Sequence, residues 1–152
     1  LNNSSDPVKS LNDLKSENSK LKKQIEALLK DKAASMKENL KQEIETINGI
    51  QFLAKLVDLD ATGIKDLSFE IGQEFDNSVL LFGAEHQGKA LLSCYVSKGL
   101  VASKGLNAGT IVRELGSYIQ GGGGGQPFYA TAGGKNPAGL QEALEKAKSY
   151  IV

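Results

Sequence analysis

The sequence predicts an α/β (α+β) chain in two parts, a long N-terminal coiled-coil helix followed by a small mixed-sheet α/β sandwich. Three observations predict it. Residues 8–47 place apolar side chains at three- and four-residue steps with no glycine or proline among them, the pattern of one long helix. From Asn48 onward, short β-prone apolar runs alternate with amphipathic helical stretches, which requires a sheet covered by helices. Between the last two helical stretches stand Gly121, Gly122, Gly123, Gly124 and Gly125, followed at once by Gln126, Pro127, Phe128 and Tyr129. The expected domains are residues 1–47 and 48–152.

Composition narrows the function. The 152 residues suit one domain plus an extension. The chain opens on Leu1 and its one methionine is Met36, so it is expected to be a piece of a longer chain. A single cysteine, Cys94, excludes an intramolecular disulfide and suits a reducing, cytoplasmic setting. With His86 as the only histidine, a zinc site of Cys and His ligands has too few ligands. No apolar run approaches the ~20 residues that cross a bilayer. Net charge is zero, but residues 48–88 carry two basic against seven acidic residues and residues 89–152 seven against three. The half holding the glycines is the basic half, as a nucleic-acid face requires.

Each element follows in order. Residues 1–7 are a polar lead-in, with Asp6 placed to cap the helix and Pro7 at its first position. Leu11, Leu14, Asn18, Leu21, Ile25 and Leu28 keep a heptad a/d register, and Asn18 at an a position is a register-fixing residue. Beyond Leu28 the stripe drifts through Leu29, Ala33, Met36, Leu40, Ile44 and Ile47. A helix of ~40 residues runs roughly 60 Å, more than a domain of ~100 residues covers. The arm is therefore expected to pair with another helix, parallel or antiparallel, either as an oligomerisation arm of a homodimer or as one strand of a coiled coil whose partner lies outside this piece; a solvated arm is the alternative. Asn48-Gly49 stops the helix. Residues 50–57 read as a buried strand and residues 64–75 as a helix. Its Asp66, Glu70 and Glu74 are expected to be a solvated face rather than a cation site.

Residues 78–84 and 89–96 read as a hairpin around residues 85–88. The stretch 83–90 has the spacing of a phosphate-binding P-loop, but it ends in Ala90 and continues as a strand, so it is read as the hairpin turn. Cys94 is expected to pack and His86 to face solvent. Residues 97–106 read as a loop carrying Lys98 and Lys104. Asn107 then caps a helix to about residue 120, with Ile111, Val112, Leu115 and Ile119 inward and Arg113 on another face. The glycines read as an ordered loop whose successive N–H groups form an anion-binding nest. A short strand is expected near Thr131. Asn136 and Pro137 open the last helix, with Leu140, Leu144, Ala147 and Ile151 buried.

The run 123–134, Gly-Gly-Gly-Gln-Pro-Phe-Tyr-Ala-Thr-Ala-Gly-Gly, resembles the C-terminal domain of alanyl-tRNA synthetase. In that family a glycine block is followed by four residues and then Ala-x-Ala-Gly-Gly, which Gly125, Ala130, Ala132, Gly133 and Gly134 match. The same DHH-associated domain occurs in RecJ-like phosphoesterases, usually with a histidine after the glycines; here Gln126 follows and the spacing is one residue longer. The resemblance covers residues 48–152. It implies a domain that grips the elbow of the tRNA for alanine, so that aminoacylation and editing domains act on one tRNA, and that takes part in oligomerisation. The parent would be an ATP-dependent ligase using magnesium and zinc, with no catalytic site and no cofactor in this piece. Many family members carry arginine where Gln126 stands, which weakens the expected phosphate contact.

Residue chemistry points the same way. Acid–base catalysis lacks a second histidine and any convergent set of carboxylates in the basic half, and a two-metal phosphoesterase site lacks an Asp-His-His run, the chain having one histidine in all. Nucleic-acid binding is supplied: Lys98, Lys104, Arg113 and Lys135 bring charge, the glycines bring backbone donors, and Phe128 and Tyr129 bring rings that either stack on a base or pack beneath the loop. The expected RNA-binding set is thus Gly121 to Gly125 with Gln126, Phe128, Tyr129, Lys104, Arg113 and Lys135. A purely structural dimerisation module and the nucleic-acid-binding tail of a RecJ-like phosphoesterase are the alternatives.

Overall fold

Asp6 and Pro7 start the first helix as their chemistry dictates. In the computed structural model, which describes residues 6–152, the Asp6 carboxylate accepts hydrogen bonds from the Val8 and Lys9 amides at 3.1 and 3.2 Å. Of the polar lead-in expected for residues 1–7, residues 1–5 lie outside the described residues. Helix α1 runs Pro7–Gln42. The chain divides into two compact units, Leu1–Glu38 and Asn39–Val152.

In the first unit, Leu11, Leu14, Leu21, Ile25 and Leu28 are each at least half exposed, Leu28 reaching 68%. Nothing among the described residues buries their stripe.

In the second unit, α1 ends five residues before the expected residue 47. Glu45–Ile47 forms strand β1 and pairs antiparallel with β2, Ile50–Leu56. The reason lies in Asn48 and Gly49, which adopt φ of +51° and +79°. Two central residues at positive φ make the tight hairpin turn whose twist matches the strands, and Asn-Gly is its strongest signal. The turn overrides the helical periodicity of Ile44 and Ile47.

A parallel crossover follows. Helix α2, Ala61–Glu74, is capped by Asp60, whose carboxylate accepts from the Gly63 amide at 2.8 Å. Strand β3, Ser78–His86, lies parallel to β2, and β4, Lys89–Val96, returns antiparallel. Gln87 and Gly88, at φ +51° and +73°, make the turn, so the P-loop-like spacing is a hairpin with His86 exposed. Residues 97–106, expected as a loop, contain helix α3, Lys98–Lys104, anchored by the buried Leu100 and ended by Gly105 at φ +65°. Helix α4, Ala108–Leu115, is capped by Asn107, whose side-chain oxygen accepts from the Thr110 amide at 3.2 Å. It stops five residues short of the expected 120, yet Ile119 stays fully buried in the turns that follow.

Strands β5, Gly121–Gln126, and β6, Tyr129–Gly134, complete a six-stranded sheet in the order β1-β2-β3-β4-β6-β5. A 3₁₀ turn, Pro137–Gly139, leads into α5, Leu140–Ala147. The Asn136 side chain does not cap this helix; it donates to the Tyr118 carbonyl at 3.1 Å. Alternation along the strands sends Val79, Leu81, Leu92 and Cys94 into one core with α4 and α5. Leu80, Phe82 and Tyr95 take the opposite face with α2, where Gly72 sits against the Tyr95 ring so tightly that a Cβ there would collide with it.

Candidate nucleic-acid interface

The glycine block is a strand, not a loop. Gly121, Gly122, Gly123, Gly124 and Gly125 pair residue by residue with Gly134, Gly133, Ala132, Thr131 and Ala130. Of the five, only Gly125 has a positive φ, 158°. The anion nest expected from successive N–H groups needs alternating right- and left-handed conformations, and these residues do not adopt them. Side-chain patterns could not have announced this strand, because glycine carries no side chain to alternate.

Close approach explains four of the seven glycines in the two strands. A Cβ at Gly121 or Gly123 would overlap the carbonyl oxygen of Gly133 or Thr131, and one at Gly125 would come within 2.6 Å of the Tyr129 carbonyl. A Cβ at Gly134 would overlap the Ile119 carbonyl. At Gly122 and Gly133, which are paired opposite each other, nothing lies within 4 Å of where a Cβ would stand. At Gly124 the one neighbour within 4 Å is Nη2 of Arg113, at 3.8 Å. The fold therefore requires glycine at 121, 123, 125 and 134, and leaves it unexplained at 122, 124 and 133. These three form a strip of bare backbone on the outer two strands, with Thr131 beside Gly124 and the Arg113 guanidinium at its rim.

Arg113 comes from the last turn of α4, is exposed, and has no ion-pair or hydrogen-bond partner among the described residues. Lys135 follows β6 directly and is exposed. Gln126 ends β5 and is exposed. Lys104 ends α3, a separate element.

The two aromatics are half-buried and engaged. The Tyr129 ring lies 5.2 Å from that of Phe69 on α2, and the Phe128 ring 6.4 Å from it. Phe69 also meets Tyr95 edge-on at 5.4 Å. The Tyr129 hydroxyl is buried beside Ser93, and neither hydroxyl has a hydrogen bond of normal geometry among the described residues. Burial raises the pKa of Tyr129 above the ordinary phenol value, against a smaller opposing pull from Ser93. Tyr129 is thus a packing residue that fixes the hairpin. Phe128, at the turn, keeps one face toward Lys98, whose ammonium stands 5.8 Å from the ring centre. Phe69 and Lys98 complete this cluster. Sequence periodicity missed Phe69 because it lies off the Ile64, Leu67, Ile71 stripe of α2.

Cys94 is fully buried, and burial alone holds its thiol far above the ordinary range. In the folded chain it is expected to resist iodoacetamide at pH 8 and to react on unfolding in urea; rapid alkylation of the native chain would contradict its place in the core. No group of three or more His, Cys, Asp or Glu able to hold a metal occurs among the described residues, and Glu74 of the acidic α2 face pairs with Lys41 at 2.5 Å. No helix is long and apolar enough to cross a membrane among the described residues.

The DHHA1 domain pattern matches residues 49–152. The chain is 68% identical over 151 residues to an alanine–tRNA ligase of Christiangramia forsetii, covering 99% of this chain and 17% of that protein. It is 47% identical over 146 residues to the alanine–tRNA ligase of Flavobacterium psychrophilum, covering 96% of this chain and 16% of that one. The chain thus spans about one-sixth of these relatives. Among solved structures, the C-Ala domain of Aquifex aeolicus alanyl-tRNA synthetase superimposes with a TM-score of 0.65 at 24% identity, over 71% of this chain and 96% of that one. A DHH-domain member of the s1p family of ribosomal proteins superimposes with a TM-score of 0.52 at 19% identity, over 85% of this chain and 32% of that one. At these identities the two structures speak for the fold.

Proposed function

The chain belongs to the DHHA1 domain family, and from that premise we propose that it is the C-terminal, tRNA-holding segment of an alanine–tRNA ligase. In this reading the parent is an ATP-dependent cytoplasmic enzyme whose catalytic and editing domains, with their magnesium and zinc, lie outside this chain. The segment holds the elbow of the tRNA for alanine and keeps both activities on one molecule.

One observation carries the binding role. Gly122, Gly124 and Gly133 are glycines that packing does not demand, and they lie in a patch beside an unpaired guanidinium. A side-chain-free strip lets a ribose–phosphate strand approach the main chain closely. Arg113 offers a planar, permanently charged fork that matches a phosphate. Lys135, next in the chain after β6, adds charge. Sequence-independent grip of this kind suits a folded RNA recognised by its shape.

Titration of labelled tRNA by fluorescence anisotropy at two salt concentrations tests it. The chain is expected to bind folded tRNA in a salt-sensitive way and to prefer it to single-stranded DNA of equal length. Arg113→Ala is expected to weaken binding roughly tenfold and to reduce the salt slope by about one. Absence of binding at low salt, or equal competition by DNA, defeats this reading.

A second role rests on a separate observation, the unburied a/d stripe of α1. Leu11, Leu14, Leu21, Ile25 and Leu28 leave a seam of apolar surface in water, a cost that pairing with another helix removes. The arm joins two copies of the chain.

A further inference from the structure

The stripe of α1 carries a direction as well as a seam, an inference that rests on the dimerisation role just described. Leu11, Asn18 and Ile25 hold the a positions, and Leu14, Leu21 and Leu28 the d positions. Lys15 and Lys22 then fall at e, Glu17 and Gln24 at g. All of them lie within α1 and all are exposed. Neither Glu17 nor Lys22 forms an ion pair among the described residues.

We propose that a second copy of this chain docks on α1 in parallel and in register, so that Asn18 meets the partner's Asn18 and Glu17 meets the partner's Lys22. Two independent features select this arrangement. In a parallel pair each g residue faces the e residue of the partner's next heptad. Glu17 therefore faces the partner's Lys22, and symmetry makes the attraction twice. In an antiparallel pair e faces e and g faces g, which sets lysines 15 and 22 against lysines and leaves Glu17 without a cation. The second feature is Asn18. A parallel, in-register pair brings two asparagine amides to the same layer, where each donates to the other. An antiparallel pair stacks a against d, so that an amide is buried against an aliphatic side chain and loses its hydrogen bonds to water.

The drift of the stripe beyond Leu28 limits the zipper to residues 11–28, six layers. Few layers make the flanking charges and the Asn18 layer a large share of the pairing energy. Orientation should therefore answer strongly to single substitutions.

Sedimentation equilibrium on the full chain measures the dimer and separates the two claims. Lys22→Glu sets acid against acid in a parallel pair and is expected to weaken association roughly five- to thirtyfold. The double change Glu17→Lys with Lys22→Glu is expected to restore it. In an antiparallel pair Lys22→Glu relieves lysine repulsion and tightens the dimer. Oxidation of Leu14→Cys gives a second readout. In a parallel pair the two thiols share a layer, within the Cα separation of under ~7 Å that a disulfide needs, and a cross-linked dimer forms. The native thiol at Cys94 stays out of this reaction because it is buried. A dimer that tightens with Lys22→Glu and fails to cross-link through Leu14→Cys overturns the parallel pairing while leaving dimerisation intact. A trimer or tetramer overturns the two-stranded pairing. A chain that stays monomeric at every concentration removes the dimerisation role itself.

Discussion

Gly123→Ala is expected to cost the fold about 3 kcal/mol or more, while Gly122→Ala, one residue away, leaves stability unchanged or raises it by up to about 1 kcal/mol. Chemically the substitutions are the same; what differs is the direction of the new methyl. At position 123 it would overlap the Thr131 carbonyl oxygen and crowd Ala132, so β5 must lift off β6 to admit it. At position 122 it would point into open space with no atom within 4 Å. Gly122 also lacks a positive φ, so alanine fits its backbone and removes disorder from the unfolded chain. Urea unfolding of the two variants measures this contrast, and equal destabilisation would refute the alternation. Binding is expected to respond in the opposite sense. Gly122→Ala places a methyl on the bare strip and weakens tRNA binding in a fully folded protein. A variant that is stable but defective in binding is the signature of a glycine retained for a ligand. If Gly122→Ala binds tRNA like the parent sequence, the strip is not the contact surface.

This contrast also marks where the sequence stopped being legible. The caps at Asp6 and Asn107, the β3–β4 hairpin and the buried stripe of α5 were readable, because each leaves a side-chain signature at a fixed spacing. The P-loop spacing at residues 83–90 could be dismissed for the same reason: Leu91 and Leu92 continue as a strand. Glycine leaves no signature of that kind. The conformation of residues 121–125 is set by β6, which offers a free edge, and by α4, which packs so close that a Cβ at Gly109 would stand 3.2 Å from the Gly125 carbonyl oxygen. Neither influence is local. The strand end of the arm was hidden by a different competition, since Ile44 and Ile47 continue the helical stripe while Asn48-Gly49 dictates a hairpin. Helix α3 has seven residues, too few for a period to emerge. The set proposed for binding keeps the glycines and cations expected from the sequence, and packing divides them. Only the structure separates the glycines that packing needs from those it merely tolerates, and only the structure sets Arg113 at the strip while placing Lys104 on another helix.

Phe69→Ala is the second change with a large expected effect, about 2–4 kcal/mol. Phe69 links α2 to the outer hairpin, with its ring 5.2 Å from Tyr129, 5.4 Å from Tyr95 and 6.4 Å from Phe128. Removing it opens a void between the helix and the two strands that carry the bare strip. The buried Tyr129 hydroxyl, already without a good hydrogen bond, offers no compensating anchor. Lower stability is therefore expected together with weaker tRNA binding, even at temperatures where the variant is fully folded, because the strip loses its rigid support. Phe69→Leu keeps apolar volume and is expected to recover most of the stability. Whether it also recovers affinity separates two roles. Recovery of both means that Phe69 acts by filling space. Recovery of stability alone means that its ring orients Phe128 and Tyr129. Melting curves paired with anisotropy titrations below the transition decide between them. Unchanged affinity in folded Phe69→Ala would mean that β5 and β6 hold the strip without help from α2.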